Sequence, residues 1–343
     1  MIMKVTIRDV AAAAGVSPAS VSLVLNNKPS RISEKTRQRI IDTADQLGYN
    51  AEPVFADPAA APRSHLIGII LPGTDNHYAS DYLSGIEKYA GIYGYRILSY
   101  DLGTTTPKCI SYIHFLWEIG VDGIIMMPPE DMNQLDNNRK LGEALHSSGK
   151  PFILLSRAID RVFTDFVTSD FKAGAYAATE HLILNGHERI GLISGFPEIY
   201  NTRKKLEGYK EAMIFYGFSI DNELIYDGDF TAESGYKAAG YLIEKGATAI
   251  VSMTDLMAFG VCQYANDQHI RIGEDLSLIS FHNSAFCTFL SPPLTSISEE
   301  YDLMGRKACE RLIIRINGED PDGPKNSYFV PTLIERQSVK KLT

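Results

Sequence analysis

The amino-terminal part of the chain places apolar and polar residues at helical spacing, interrupted by residues that start and end helices. Thr6 and Asp9 stand in a capping-box relation, and Gly15 suits the left-handed conformation that ends a helix. Ser17 followed by Pro18 makes a second helix start, because serine accepts a hydrogen bond from a first-turn amide and proline leaves no amide unpaired. The pattern predicts two short helices, the first over about 7–14, with a tight turn between them.

A third helix start follows at Ser33, after which Ile40, Ala44 and Leu47 recur at helical spacing before Gly48. Three short helices with a tight turn between the first two form a helix-turn-helix unit. In such a unit the second helix lies in the DNA major groove, with its first residues at the base edges. The pattern therefore predicts an all-α DNA-binding head.

The outer face of the second predicted helix lacks long charged side chains. Ala19 and Leu23 on this face can contact thymine methyl groups. Side chains suited to phosphate oxygens stand beside them at Ser17, Ser20, Ser22 and Asn26. Small side chains allow close approach to DNA, so we interpret this face as a recognition surface. The alternative is a soluble helical bundle whose second helix is rich in serine.

Beyond the head, short apolar strands alternate with amphipathic helices in two successive series. The first series contains LIGIIL, RILSYD, VDGIIMM and FILLS, and the second contains RIGLISG, LIYDGD, TAIVSM and LSLISF. Such alternation is typical of parallel sheets with helices on both faces. We therefore expect an α/β body of two doubly wound parallel-sheet lobes.

Charge is distributed unevenly along the chain. Residues 1–49 contain seven Lys or Arg and four Asp or Glu, a net charge of +3, and because the whole chain carries −9, residues 50–343 carry −12. A basic head on an acidic body confines the attraction for phosphate to one end of the protein. This distribution supports the DNA-binding interpretation.

Other functional classes lack their sequence signals. The motifs G-x-S-x-G, GxxxxGK[ST] and HExxH do not occur, so we expect no enzyme activity and no cofactor. The cysteines form no CxxC pair, which argues against a disulfide framework or zinc site; they are Cys109, Cys262, Cys287 and Cys309. No apolar stretch has the pattern of a signal peptide or a membrane span, which predicts a cytoplasmic protein.

A long amino-terminal segment resembles the head of the lac repressor/galactose repressor family of bacterial transcription regulators: VTIRDVAAAAGVSPASVSLVLNNKPSRISEKTRQRIIDTADQLGYN. The shared pattern is V-T-[IL]-x-D-V-A-x-x-A-G-V-S-x-x-[TS]-V-S-x-V-L-N, followed by [IV]-S-x-x-T-R and L-G-Y. The resemblance implies a transcription regulator, here a repressor, that binds a pseudo-palindromic operator as a homodimer. The implied DNA-binding residues are Thr6, Ser17, Pro18, Ala19, Ser20, Ser22, Leu23, Asn26, Lys28, Arg31 and Thr36.

The same resemblance implies the domain organisation. The head covers 1–49, a Pro/Ala-rich hinge linker covers 50–64, and an effector-binding and dimerisation body covers 65–343. The body is expected to resemble a periplasmic sugar-binding protein, with three chain crossings between lobes and a small molecule bound between them. The lobes are expected at about 65–168 with 296–329 and at about 169–295 with 330–343, and the crossings near Thr168, Ser291 to Ser296 and Val330.

Local motifs in the body resemble effector-binding segments of the family and imply a sugar or sugar derivative as the effector. These motifs are LPGTDNHYASDYLSGIE, FILLS, NTRKKLEGY, GDF and MTDLMAFG. The implied cleft residues are Asn76, Tyr78, Ser156, Asn201, Arg203, Lys205, Phe230, Thr254, Asp255 and His282. The simpler alternatives are that Tyr78 and Phe230 are core aromatics and that Asp255 caps the helix after its strand.

Two further groups of polar residues are interpreted without a functional role. His181 and His187 match a surface turn of the family, and we expect no metal site there. Arg157, Asp160 and Arg161 are interpreted as a solvated loop.

Two departures from the family pattern bear on the effector. The chain has Phe281 and His282 where the family commonly has tyrosine and aspartate, so an acceptor for sugar hydroxyls is replaced. It has Lys205 where an arginine is common, which removes a bidentate donor. These departures leave room for an anionic or amino-bearing effector or a vestigial pocket, and regulation by a partner protein is a further alternative.

The linker departs most from the family, which typically continues P-N-x-x-A-R-x-L and inserts the leucine into the DNA minor groove. This chain reads GYNAEPVFADPAAAPRS, with Pro58 at the leucine position. Pro58 and Pro62 limit any helix to about one turn. We therefore expect an extended linker without a leucine-type wedge; the alternative is that Val54 or Phe55 inserts from a shifted frame.

Overall fold

A computed structural model describes residues 7–25, 32–47, 63–71, 77–101, 105–129, 135–159, 161–319 and 323–342. The chain forms two compact units, Met1–Arg63 and Ser64–Thr343. Most of the expected linker lies outside the described residues, so its conformation stays a prediction. Within the described ranges, no helix is both long and apolar enough to cross a membrane.

Three short helices form the head. They are α1 Ile7–Ala14, α2 Pro18–Leu25 and α3 Glu34–Gln46. Apolar side chains from all three helices share one small core, made of Val10, Ala11, Ala14, Val21, Val24, Ile40 and Ala44. The predicted helix-turn-helix head is confirmed.

The turn and the helix starts of the head follow from the predicted residues. Gly15 ends α1 with a φ of 62°, which glycine adopts without steric cost. The Oγ of Ser17 accepts a hydrogen bond from the backbone N of Ser20 at 3.1 Å, and the Oγ of Ser33 accepts one from the backbone N of Thr36 at 3.3 Å. Serine therefore caps both α2 and α3.

The first lobe of the body contains one six-stranded parallel sheet. Its strands are β1 Leu66–Leu71, β2 Arg96–Asp101, β3 Gly123–Met126, β4 Phe152–Leu155, β5 Asp165–Ser169 and β11 Asn326–Phe329. Its helices are α4 His77–Ile92, α5 Thr106–Glu118, α6 Leu135–His146 and α11 Tyr301–Asn317. The strand order is β11-β5-β4-β3-β1-β2.

The second lobe contains a six-stranded sheet in which only the edge strand β12 is antiparallel to its neighbour. Its strands are β6 Ile190–Ser194, β7 Ile225–Asp227, β8 Ala249–Ser252, β9 Ser277–Phe281, β10 Thr295–Ser298 and β12 Thr332–Ile334. Its α-helices are α7 Phe171–Leu184, α8 Tyr200–Phe215, α9 Ala232–Glu244 and α10 Asp255–Asp267, with 3₁₀ turns at Asn222–Leu224 and Ala285–Thr288. The strand order is β12-β10-β9-β8-β6-β7.

Both sheets are covered on their two faces, which explains why central strands such as β1 and β4 are almost continuously apolar. In the first lobe, Ile67 and Ile69 belong to an apolar cluster on one side of the sheet, whereas Ile70 belongs to a cluster on the other. Alternate residues of β1 thus pack against different helices. The expected pair of doubly wound lobes is confirmed.

The chain passes between the lobes three times. It leaves the first sheet after β5, returns after β10, and leaves again between β11 and β12. The return lies later than the expected stretch of Ser291 to Ser296, because Thr295–Ser298 pairs in parallel with β9 of the second sheet. Glu299 and Glu300 therefore form the return, and Glu300 adopts the left-handed conformation with a φ of 49°.

A buried carboxylate attaches the returning segment to the first lobe. Asp165 on β5 is 1% exposed and accepts hydrogen bonds from Arg311 at 2.8 and 3.0 Å, from Arg315, and from the backbone N of Lys325. Burial raises the pKa of Asp165, but these donors outweigh burial, so its pKa lies below the ordinary value. Asp165 thus joins α11 and the start of β11 to β5.

Helices α4 and α11 approach each other through glycine. A Cβ atom at Gly85 of α4 would overlap the backbone carbonyl oxygen of Asp302, and one at Gly305 of α11 would overlap that of Tyr82. Gly91, also on α4, has open space where its Cβ would lie. The two glycines of α4 therefore have different roles.

Gly85→Ala is expected to lower the free energy of unfolding by about 1–3 kcal/mol or more, because the helices must move apart. Gly91→Ala is the matched control and should raise it by about 0.5–1 kcal/mol, because alanine loses less conformational entropy in a helix. Urea unfolding followed by circular dichroism measures both changes. Equal effects of the two substitutions would contradict the close approach of α4 and α11.

Candidate functional site

A cavity of about 120 Å³ lies between the two lobes of the body. Its lining residues follow the carboxyl ends of strands in both sheets, where ligands bind in open α/β sheets. Eight predicted effector residues line it, namely Tyr78, Ser156, Asn201, Lys205, Phe230, Thr254, Asp255 and His282. Asn76 lies outside the described residues, so its predicted role is not tested.

Arg203 does not line the cavity, although its sequence motif predicts that it does. Its side chain is exposed and donates a hydrogen bond to the backbone carbonyl of Glu198. Lys205, two residues further along α8, faces the cavity and is 4% exposed. The difference follows from helical geometry, because residues two positions apart lie on different faces of a helix.

The prediction that Arg157 lies in a solvated loop is wrong. Arg157 is 7% exposed, lines the cavity, and donates from Nη1 to the backbone carbonyl of Pro128 at 3.1 Å. No signal in the sequence separates Arg157 from the nearby Arg161, which is exposed. The distinction arises because Arg157 directly follows the turn at the end of β4.

Lys205 is held by contacts from the second lobe and from the return segment. Its Nζ donates to the backbone carbonyl of Met253 at 3.2 Å and lies 4.0 Å from the ring centroid of Phe281. The same nitrogen is 3.6 Å from Oε1 of Glu299. Burial lowers the pKa of Lys205, and the carboxylates of Glu299 and Asp255 oppose that effect.

Glu299 is a buried acidic residue that sequence reasoning missed. Its carboxyl group has no exposed surface and accepts a hydrogen bond at Oε2 from the hydroxyl of Tyr301. The Nε2 atom of His282 lies 3.8 Å from the same oxygen. Burial raises the pKa of Glu299, and Lys205 opposes the rise. No local motif marks this residue, since residues 298–300 have the pattern of an ordinary polar segment.

Asp255 holds the second lobe's side of the cavity together. Its carboxylate accepts hydrogen bonds from the hydroxyls of Ser280 and Ser296 and, at 2.7 Å, from the backbone N of Ser284. The alternative that Asp255 caps α10 is wrong, because the cap is Thr254, whose Oγ1 accepts from the backbone N of Met257 at 3.2 Å.

Asn201 and Ser156 connect the lobes across the cavity. The Nδ2 of Asn201, on α8, donates to the Oγ of Ser156, after β4, at 3.2 Å. The Oδ1 of Asn201 is buried and has no hydrogen-bond partner among the described residues. A buried acceptor of this kind is costly unless a donor reaches it.

Aromatic rings form the remaining walls of the cavity. Phe230 packs over Gly195, and Tyr78 lies 5.2 Å from the ring of His282 and 5.4 Å from that of Tyr301. Both Tyr78 and Phe230 are partly exposed and line the cavity, so they are not simply core aromatics. Backbone strain concentrates here, with positive φ at Ser156, Phe230, His282, Asn283 and Glu300. Such strain clusters at ligand sites.

His187 has a structural position away from the cavity. It is fully buried, with Nδ1 2.9 Å from Oγ1 of Thr248 and Nε2 3.2 Å from the backbone carbonyl of Lys340. Burial lowers its pKa below the ordinary value. The ring thus fixes the carboxyl-terminal segment against the second lobe.

The head presents the predicted recognition helix, although only part of its surface is described. Ser17 and Pro18 are exposed at the start of α2, and the Oγ atoms of Ser17 and Ser20 are 2.9 Å apart. Thr36 is half-buried beside Ser33. Ala19, Ser22 and Leu23 lie on α2, but the structure does not describe their side chains. Four further predicted DNA-binding residues lie outside the described residues: Thr6, Asn26, Lys28 and Arg31.

Sequence comparison assigns both parts of the chain. Residues 6–52 match the family described as bacterial regulatory proteins, lacI family, and residues 179–339 match the periplasmic binding protein-like domain. The HTH-type transcriptional repressor PurR of Photobacterium profundum is 31% identical over 341 residues, which cover 98% of this chain and 99% of the relative. Catabolite control protein A of Priestia megaterium is 33% identical over 342 residues, which cover 98% of this chain and 100% of the relative.

The chain belongs to the lacI family of bacterial regulatory proteins.

Solved structures of family members share the fold along nearly the whole chain. The lac repressor dimer bound to operator and the anti-inducer ONPF has a TM-score of 0.73 at 25% identity, covering 98% of this chain and 99% of that chain. The complex of the transcriptional regulator CelR with cellobiose also has a TM-score of 0.73 at 25% identity, covering 97% of this chain and 99% of that chain. The family therefore accounts for both the helical head and the two-lobed body.

Proposed function

We propose that the chain is a sequence-specific repressor of transcription whose affinity for operator DNA is controlled by a small hydroxyl-bearing molecule, a sugar or sugar derivative, bound between the lobes. The observation that supports it is the cavity itself, because its polar groups come from both lobes. A ligand that contacts both lobes favours one arrangement of them over another. Such a preference is what couples a cleft to a DNA-binding head.

The chemistry of the cavity suits a ring with hydroxyl groups. Asn201 and Ser156 contribute polar groups to its lining, and Phe230 and Tyr78 offer aromatic surface. We therefore propose a single small effector with hydroxyl groups, bound without catalysis.

The remaining organisation follows from the same proposal. The head is 1–49, the linker 50–64 and the effector-binding body 65–343. One head makes few base contacts, so useful specificity requires two heads on a pseudo-palindromic operator, and hence a homodimer. The protein acts in the cytoplasm, where its DNA is.

The first test selects bound DNA from a random pool. We expect an inverted-repeat motif, because each head of a dimer reads one half-site. Leu23→Arg should change the preferred bases, since arginine favours guanine edges, whereas Ser22→Ala should weaken all sequences alike through a lost phosphate contact. An unchanged motif with Leu23→Arg would place the recognition face elsewhere.

A second test concerns the effector. A panel of neutral monosaccharides is screened by thermal unfolding and then by its effect on operator binding, measured by fluorescence anisotropy. We expect at least one sugar to raise the melting temperature and to change operator affinity. Asn201→Leu should weaken the binding of that sugar by about tenfold, which corresponds to the loss of one hydrogen bond. Asn266→Ala, at an exposed position of α10, is the matched control and should bind like the parent. A sugar that binds both variants equally would contradict this site.

A further inference from the structure

The two departures from the family pattern meet at one buried residue. Nζ of Lys205 lies 3.6 Å from Oε1 of Glu299, and Nε2 of His282 lies 3.8 Å from Oε2. The hydroxyl of Tyr301 donates to the same carboxylate. The lysine and the histidine therefore share an acidic partner that belongs to the protein itself.

The Lys205–Glu299 pair carries no net charge. Burial favours the neutral form of each group, lowering the pKa of Lys205 and raising that of Glu299, while their mutual attraction favours the charged forms. The pair is neutral overall with the proton on either atom. An ammonium held in this way is not available as a counter-charge for a ligand.

The other charged groups around the cavity also balance. Arg157 supplies one positive charge and Asp255 one negative charge, and the Asp255 carboxylate already accepts three hydrogen bonds. Lys205, Arg157, Asp255 and Glu299 together therefore sum to zero charge. A charged ligand would enter this partly enclosed space without a compensating charge, at a desolvation cost.

We propose that Glu299 determines the ligand specificity of the cleft: by neutralising Lys205 it restricts the cleft to uncharged ligands. Glu299 does not line the cavity, so it acts through Lys205 and not by touching the ligand. An anion drawn to Lys205 meets the carboxylate directly behind it, and a cation drawn to Glu299 meets the ammonium in front. This inference rests on the proposed function, in which the cavity binds an effector.

Glu299→Gln keeps the shape of the side chain and removes the negative charge, which frees the ammonium of Lys205. Sulfate is the probe, because it stays fully ionised near neutral pH. We expect calorimetry on the full-length protein to show sulfate binding at least about tenfold tighter in Glu299→Gln than in the parent, because the substitution removes the negative charge behind Lys205, whose repulsion of an anion is weakly screened in the protein interior. The double variant Lys205→Met/Glu299→Gln should not show this increase in sulfate affinity.

Glu223→Gln is the matched control. Glu223 pairs with Lys245 at 2.6 Å on the surface of the second lobe, so its substitution also frees a lysine, but in water. It should not increase sulfate binding. If Glu299→Gln does not fold, Lys205→Ala provides a second test. Methylammonium should raise the melting temperature of Lys205→Ala by occupying the position of the lost ammonium group. Sodium at equal concentration should not.

Three results would overturn the inference: equal sulfate affinity in the parent and Glu299→Gln, a gain that persists in the double variant, or no stabilisation of Lys205→Ala by methylammonium. Binding of neutral sugars distinguishes failure of the Glu299 inference from failure of the proposed function. A sugar that binds the parent supports the proposed function whatever the sulfate comparison shows. If no sugar binds the parent, the effector proposal fails, while the sulfate comparison still decides the role of Glu299.

Discussion

The contact between Lys205 and Glu299 is the interaction on which the cleft depends. Lys205 comes from α8 of the second lobe, whereas Glu299 lies on the segment by which the chain returns to the first lobe. Both side chains are buried, so each would be costly without the other. Their attraction holds an ammonium against the cavity, and Glu299 also accepts a hydrogen bond from Tyr301, the first residue of α11.

The rest of the cleft is built around this contact by the topology of the sheets. Parallel strands of both lobes end at the same cavity, so polar residues after β4, β8 and β9 converge there although they are distant in sequence. Asp165 holds α11 in the first lobe, and Asp255 orders the loop after β9 in the second. Each lobe thus has its own buried carboxylate, and Glu299 is the one between them.

Local sequence patterns predict the helices of the head and the alternation of the body because these depend on short-range chemistry. Ser17, Gly15 and Ser33 cap or end helices wherever they occur in such contexts. Cleft residues such as Asn201 and Thr254 are predicted differently, from the resemblance of their segments to family motifs, and both line the cavity. The motif that contains Arg203 does not specify which face of α8 points inward, so its effector role stays a prediction. The prediction for Arg157 is wrong because its burial depends on the loop around it.

Glu299 could not be predicted because nothing near it in sequence explains its burial. Its partners Lys205 and His282 lie in separate segments, and only the crossing of the chain after β10 brings them together. Without Glu299, the lysine and the histidine leave room for a charged effector. With Glu299 present, Lys205 and His282 lie beside a carboxylate of the protein itself, and the cleft favours uncharged ligands.

Lys205 and Glu299 should be energetically coupled, and a double-mutant cycle on the free energy of unfolding measures this coupling. Lys205→Met and Glu299→Gln are measured singly and together by urea unfolding at neutral pH. Each single substitution leaves a buried group unpaired, and the double substitution leaves neither. We therefore expect a coupling free energy of about 1–3 kcal/mol, with the double variant more stable than the sum of the single effects implies. Additive effects of the two substitutions would contradict it.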